Sequence, residues 1–187
     1  VLAGIHDVLG DVDPDLILSG VNRGNNSAEN ALYSGTLGGA MEGALQGIPS
    51  IAMSQYFGPA NAQIDDPFEA ALTHGADTVR RILDATPDDT GDYQLFYNVN
   101  FPPVPAAQVK GTRLSKQGRR PGVRFSTEPH QAPSGRRFVW IKGGNQQVRT
   151  APGTDAADNL DGYITVTPMR ADLTAHDMMD RLKALNT

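Results

Sequence analysis

Short apolar segments alternate with helical segments over the first hundred residues, and this alternation constrains the fold more than any other feature of the sequence. Apolar runs at residues 16–18, 50–54 and 94–99 are short and mostly bounded by Pro or Gly, which is typical of buried strands. Apolar residues recur at helical spacing over 36–46, and a second helix is predicted from Asp66-Pro67 to about residue 83. This order predicts a parallel α/β sheet covered by helices.

The composition changes after Pro102. Residues 102–150 are rich in Pro, Gly, Arg and Gln, with isolated strand-like pieces and a candidate turn at Pro133-Ser134-Gly135. We interpret this segment as an extended β-hairpin arm that packs on a partner subunit. A strand at 163–166 and a helix over about 175–185 follow. The predicted division is therefore a core at 1–101, the arm at 102–150, and a returning strand with a C-terminal helix at 151–187.

The overall composition excludes several classes of function. The 187 residues include no Cys, so thiolate nucleophiles, disulfides and cysteine metal sites are ruled out. A net charge of −5 disfavours general binding of nucleic-acid polymers, which usually needs a basic surface. The apolar runs are too short to span a membrane. We therefore expect a cytoplasmic protein that binds neither a nucleic-acid polymer nor a membrane.

The first candidate site is the Asn-rich loop that follows the predicted strand at 16–18. It contains Asn22, Asn25 and Asn26 within Ser19-Gly20-Val21-Asn22-Arg23-Gly24-Asn25-Asn26. Open α/β sheets bind ligands at the carboxyl ends of their strands, and Asn offers an oxygen to a cation and an amide to a phosphate. The alternative is a turn stabilised by its own side chains, and the residues alone do not separate the two.

The second candidate site is Tyr33-Ser34-Gly35-Thr36, directly before the helix predicted over 36–46. Free N–H groups at a helix N-terminus bind anions, and the hydroxyl groups of Ser34 and Thr36 add donors. Plain N-capping by Ser34 or Thr36 is the competing interpretation, and it is favoured when the segment is taken alone. The segment is neither a Walker loop nor a Rossmann glycine fingerprint.

Other polar residues fit structural roles better. Thr154-Asp155, after Pro152-Gly153, is typical of a helix cap. The acidic pairs at 65–66 and 88–89 are interpreted as turn and cap residues. The four histidines have no metal-binding spacing, so each is predicted to be structural or exposed; they are His6, His74, His130 and His176.

The ordered set of motifs resembles the SurE (survival protein E) family along essentially the whole chain. The motifs that carry the resemblance are Pro14-Asp15-Leu16-Ile17-Leu18-Ser19-Gly20-Val21-Asn22-Arg23-Gly24, Tyr33-Ser34-Gly35-Thr36, Met41-Glu42-Gly43, Gly47-Ile48-Pro49-Ser50-Ile51-Ala52, Asn98-Val99-Asn100-Phe101-Pro102, Pro152-Gly153-Thr154-Asp155, Asp161-Gly162-Tyr163 and Asp172-Leu173-Thr174-Ala175-His176.

The resemblance implies a Rossmann-like α/β fold whose arm and C-terminal element build a homodimer or homotetramer. It implies a metal-dependent phosphatase, a 5′/3′-nucleotidase, that uses Mg²⁺ or Mn²⁺ to hydrolyse nucleoside monophosphates. Asn22 then matches a metal ligand, and Asn26, Ser34, Gly35 and Thr36 match residues that line the phosphate site.

The catalytic residue is not assigned. The family's Asn-Asp-Asp-Gly motif does not occur in this chain. We therefore expect the catalytic Asp to precede Val1, the chain to be N-terminally truncated, and this fragment alone to be inactive.

Two alternatives to a nucleotidase stay open at this point. One is a truncated or degenerate protein that folds, assembles and binds phosphate without turnover. The other is a regulatory module that binds nucleotides without hydrolysing them.

Overall fold

A five-stranded sheet forms the centre of the protein. The computed structural model describes residues 1–123 and 125–186. Its strands are β1 (Ile17–Arg23), β2 (Ser50–Gln55), β3 (Phe96–Phe101), β4 (Thr112–Leu114), β5 (Ser126–Gln131), β6 (Arg137–Lys142) and β7 (Ile164–Met169). The central sheet has the order β1-β2-β3-β7-β4. The first three strands run parallel, while β7 lies antiparallel to β3 and parallel to β4. The predicted α/β fold is confirmed, but the sheet is mixed rather than wholly parallel, because β7 runs antiparallel to β3.

Helices pack on both faces of this sheet. The α-helices are α1 (Gly35–Leu45), α2 (Glu69–Ala85), α3 (Asp155–Leu160) and α4 (His176–Met179). Helix α1 lies where it was predicted, whereas α2 begins two residues after Pro67. The predicted C-terminal helix is divided, because a tighter 3-10 helix, Asp180–Leu185, follows α4. Among the described residues, no helix combines the length and the apolar character that crossing a membrane requires.

The two faces of the sheet differ in chemistry. Side chains of a strand alternate between faces, and the face towards α2 is apolar, with Ile51, Val99 and Phe101 in its core. On the face towards α1, Ala52 and Phe96 are apolar. Further along the same strands that face carries buried polar side chains, namely Ser54, Asn98, Asn100, Thr165 and Thr167. Polar residues therefore occupy the part of this face near the carboxyl ends of β2 and β3.

Strand β1 differs from its prediction as a buried strand. It is longer than residues 16–18, and Leu18 is 50% exposed. Within the described part of the chain β1 lies at the edge of the sheet, where only β2 flanks it. Leu18 pairs with Ile51 on the face towards α2, and that helix packs on β2 rather than on the edge strand, so Leu18 is not covered.

The predicted hairpin is present, but the segment at 102–150 also contributes a strand to the central sheet. Strands β5 and β6 pair antiparallel as a separate two-stranded sheet. The predicted turn is confirmed, with Gly135 at φ 81° and its N–H donating to the carbonyl of Ala132. Strand β4 instead joins the central sheet beside β7. One of the strand-like pieces of this segment spans 123–125; its middle residue lies outside the described residues, and Val123 and Phe125 are not part of a strand.

Close packing of α1 on the sheet depends on its glycines. A Cβ atom at Gly43 would lie 2.3 Å from Ser50 Oγ and 2.6 Å from Ile17 Cδ1. We expect Gly43→Ala to lower the free energy of unfolding by ~1–3 kcal/mol, because overpacking must displace β1 or β2. Urea unfolding measures the change.

Gly38→Ala is the matched control, since no atom lies within 4 Å of the added methyl group on the same helix. This substitution should stabilise the protein by about 0.5–1 kcal/mol, the usual gain of Ala over Gly in a helix. If both variants were equally stable, close packing of α1 would not limit the residue at position 43.

Candidate functional site

Three polar side chains form a row across the carboxyl ends of the parallel strands. In the register of the sheet, Asn22 of β1 pairs with Ser54 of β2, and Ser54 pairs with Asn100 of β3. Ser54 and Asn100 are fully buried, and Asn22 is half-buried. Open α/β sheets place their ligands at this edge. The structure therefore brings Asn22, the predicted metal ligand, to the expected end of the sheet.

Asn22 has its carboxamide held in one orientation. Its Nδ2 donates a hydrogen bond to the carbonyl of Gly24 at 2.9 Å. This bond occupies the amide nitrogen and leaves the amide oxygen for another partner. A neutral oxygen of this kind is a ligand that hard cations accept.

Asn26 ties the loop to the neighbouring strands. Its backbone N–H donates to Asn100 Oδ1 at 2.7 Å, and its Nδ2 donates to Ser54 Oγ at 2.7 Å. Asn98 Nδ2 donates to the carbonyl of Asn26 at 2.9 Å. These bonds satisfy the buried polar groups of β2 and β3. The amide nitrogen of Asn26 already donates to Ser54. A direct contact between Asn26 and phosphate therefore stays a prediction.

The N-terminus of α1 has the features of an anion site as well as a cap. Ser34 Oγ accepts a hydrogen bond from the N–H of Leu37 at 3.1 Å, so Ser34 is the N-cap. Gly35 and Thr36 follow in the first turn, where N–H groups have no partner within the helix. The capping interpretation is therefore confirmed for Ser34, and it leaves the N–H groups of Gly35 and Thr36 available to an anion.

Close packing at Gly39 helps to fix the position of this helix. A Cβ atom at Gly39 would lie 2.7 Å from Ser19 Oγ. A larger residue there would push α1 away from β1. The small-residue sequence of α1 thus sets how closely its first turn approaches the strand that carries Asn22.

A buried network behind the Asn-rich loop was missed by the sequence analysis. Arg120 donates to the carbonyl of Ser27 at 3.0 Å, to Ser27 Oγ at 2.8 Å and to Asn25 Oδ1 at 3.2 Å. Asp155 accepts from the N–H groups of Ala28 and Gly118 at 2.9 Å and 2.8 Å. Arg120 and Asp155 are almost fully buried. They connect the loop to α3 and to the segment after β4.

Burial sets the electrostatics of this network. It raises the pKa of the Asp155 carboxyl, against the opposing effect of three backbone N–H groups and the Arg120 guanidinium. It lowers the pKa of the Arg120 guanidinium, which Asp155, Tyr56 and Glu29 raise. Each charged group therefore favours the charged form of the other. We had interpreted Thr154-Asp155 as a plain cap, because no local pattern marks a carboxylate that binds a distant loop.

The other polar residues singled out in the sequence lie apart. The four histidines contact different partners, which are Gln46, the carbonyl of Ala106, Glu128 and Asp172. Asp65-Asp66 and Asp88-Asp89 are exposed. No three side chains of His, Asp or Glu come together as a metal site in the part of the chain that the structure describes.

The fold defines an α/β protein whose polar side chains gather at the carboxyl ends of its parallel strands. Comparison with known proteins gives a family: the family model "Survival protein SurE" matches residues 1–123. The chain belongs to the SurE family, as the resemblance in its motifs predicted.

Individual relatives agree over the whole chain. A protein named 5′-nucleotidase SurE from Roseobacter denitrificans is 70% identical over 187 residues, which is 100% of this chain and 72% of that protein. A protein of the same name from Ruegeria pomeroyi is 70% identical over 98% of this chain and 71% of its own length. The crystal structure of the SurE protein from Aquifex aeolicus covers 100% of this chain, with 71% of that chain matched, at a TM-score of 0.76 and 34% identity.

The buried network predicts a large effect of one substitution. Arg120→Met should lower the free energy of unfolding by at least about 1–3 kcal/mol, because it removes the donors to Asn25 and Ser27 and leaves their buried acceptors unsatisfied. Urea unfolding measures the loss.

Arg119→Met tests whether the loss of stability is specific to Arg120 or follows from removing any arginine of this segment. Arg119 is exposed, so its removal should change stability by no more than about 0.5 kcal/mol. Similar small losses in both variants would mean that Arg120 does not hold the loop.

Proposed function

We propose that this chain carries the phosphate site and part of the metal site of a 5′/3′-nucleotidase, which hydrolyses nucleoside monophosphates to nucleoside and phosphate. The observation that supports it most is the position of the α1 N-terminus beside the strand ends that present Asn22. Relatives that are 60–70% identical and named 5′-nucleotidase SurE support the same activity.

The first turn of α1 binds the phosphate in this proposal. The N–H groups of Gly35 and Thr36 point out of the helix end, where the helix dipole is positive. Thr36 adds a hydroxyl donor. Fixed donors of this kind stabilise the charge on the phosphoryl oxygens without reorganising during the reaction. Ser34 acts mainly through its cap on Leu37, which fixes the direction of the turn.

Asn22 supplies one ligand of a divalent cation, Mg²⁺ or Mn²⁺. Such a cation lowers the pKa of a bound water and polarises a phosphoryl oxygen. The bond from Asn22 to Gly24 occupies the amide nitrogen and leaves the amide oxygen for the cation. One neutral oxygen is a weak anchor for a hard dication, so carboxylates are needed beside it. The chain has no Asn-Asp-Asp-Gly motif and spans 72% of its Roseobacter relative.

A non-catalytic phosphate-binding protein is the alternative. It would use the same turn of α1 without turnover. The names of the relatives favour the enzyme, and an activity assay separates the two.

The metal assignment gives a direct test. We expect the whole protein to release phosphate from nucleoside monophosphates with Mg²⁺ or Mn²⁺ and to lose this activity in EDTA. Asn22→Ala should lower metal affinity by at least roughly 10- to 100-fold, the loss usual for groups around a bound metal. Phosphate release at varied metal concentration measures it.

Asn186→Ala is the control, because Asn186 is exposed in the last residues of the described chain. Both variants should keep the melting temperature of the unsubstituted whole protein. Wild-type activity of Asn22→Ala at limiting metal would contradict the assignment of Asn22. Phosphate binding without turnover in the parent protein would favour the non-catalytic alternative.

We also propose that the hairpin arm assembles the protein into a homodimer or homotetramer. Strand β6 carries apolar side chains on both faces, since Phe138 and Trp140 alternate with Val139 and Ile141. These four side chains are 41–74% exposed in the single chain. Apolar groups on an open hairpin favour association, and a strand that is apolar on both faces is suited to burial on both.

Trp140→Glu should therefore dissociate the assembly, because a carboxylate cannot be buried in an apolar interface without a large cost. Sedimentation velocity at micromolar concentration measures the oligomeric state. Leu72→Glu, on the exposed side of α2, is the control and should leave the assembly intact. A parent protein that sediments as a stable monomer would overturn the proposal.

Two further expectations stay predictions. They are the cytoplasmic location and the division of the chain into a core, an arm and a returning segment at 1–101, 102–150 and 151–187.

A further inference from the structure

A cavity of about 270 Å³ lies where the residues before α1 meet the two ends of the arm. Its lining includes Glu29, Asn30, Tyr33, Arg120, Phe125 and Gln146. The volume falls just below the ~300–1,000 Å³ usual for drug-sized ligands. It therefore suits part of a small molecule whose remainder lies outside the cavity.

An aromatic platform forms one wall. The ring centroids of Tyr33 and Phe125 are 4.5 Å apart, with an angle of 47° between the planes. Tyr33 is nevertheless 72% exposed. One side of the ring is thus supported by Phe125 while much of its surface stays open. An exposed, supported ring of this kind can stack on a flat, unsaturated group.

The polar groups of the cavity are oriented by bonds among themselves. Glu29 Oε1 accepts from the backbone N–H of Arg120 at 2.7 Å, and Asn30 Nδ2 donates to Gln146 Oε1 at 2.6 Å. These bonds leave Glu29 Oε2 and Asn30 Oδ1 as acceptors, with no hydrogen bond from another described residue. A ligand that matches them presents O–H or N–H donors.

Arg120 closes one side of the cavity with a side chain that is almost fully buried. The cavity therefore combines a flat stacking surface with hydrogen-bond acceptors.

The cavity adjoins the phosphate site of the proposed function. Tyr33 is two residues before Gly35, so their Cα atoms are no more than about 7.6 Å apart. One ligand can therefore place a phosphate at the first turn of α1 and a flat ring against Tyr33.

We propose that this cavity binds the nucleoside part of a nucleoside monophosphate, with the base stacked on Tyr33 and its ribose or amino donors facing Glu29 and Asn30. This inference rests on the proposed function and names the residues that distinguish a nucleotide from a simple phosphate ester.

Binding without turnover tests the base site separately from catalysis. Calorimetry in EDTA compares AMP with ribose 5-phosphate, which has the sugar phosphate but no base. The parent protein should bind AMP more tightly. Tyr33→Ala should weaken AMP binding by roughly 5- to 150-fold, the factor expected from the loss of one base–aromatic stack. The preference for AMP over ribose 5-phosphate should disappear.

Two variants control for the ring and for the general loss of an aromatic residue. Tyr33→Phe keeps the stacking surface and should retain most of the affinity for AMP. Tyr93→Ala removes a half-exposed aromatic residue that lies near the other end of α1 and should leave the preference unchanged. Equal affinity for AMP and ribose 5-phosphate, or an unchanged preference for AMP in Tyr33→Ala, overturns the base site. Metal-dependent turnover of AMP would still support the proposed function in that case.

Discussion

The rest of the site depends on satisfying the buried polar side chains on one face of the sheet. Ser54, Asn98 and Asn100 lie where β2 and β3 would otherwise carry apolar residues, and a buried polar group without a partner costs about 1–3 kcal/mol. Asn26 bonds to all three through its amide nitrogen, its N–H and its carbonyl. The interaction therefore fixes the Asn-rich loop directly beside the strand that carries Asn22.

The buried side chains of Arg120 and Asp155 also hold the same Asn-rich loop. Arg120 and Asp155 come from segments far along the chain, and they bind the backbone and side chains of residues 25–28. Asp155 is stabilised by three backbone N–H donors, and Arg120 by oxygen atoms of Ser27 and Asn25. Further along the polar face, Thr165 and Thr167 have buried hydroxyl groups without partners in the described residues. The polar face thus extends beyond the side chains whose hydrogen bonds the Asn-rich loop provides.

Much of the fold follows from local patterns, whereas the connections behind the site do not. The run at 50–54 and the helix at 36–46 have strong periodicity, and both are found within a residue of their predicted bounds. Ser34 was identified as a possible cap because capping is local. Asp155 was placed in a cap as well, yet its oxygen reaches the N–H of Ala28 across 127 residues. Nothing in the neighbourhood of Asp155 or Arg120 in sequence indicates such a partner.

Charge explains why the proposed site combines a helix end with a cation. The protein carries a net charge of −5, which repels a phosphate dianion at long range. Gly35, Thr36 and Asn22 offer only neutral dipoles, whose attraction acts at short range. In the proposed function, a cation beside Asn22 would supply the positive charge that this arrangement lacks, at the strand ends next to the first turn of α1. The neutral donors of the first turn of α1 would then need only to orient the phosphate, and the cap of Ser34 on Leu37 fixes the direction of that turn.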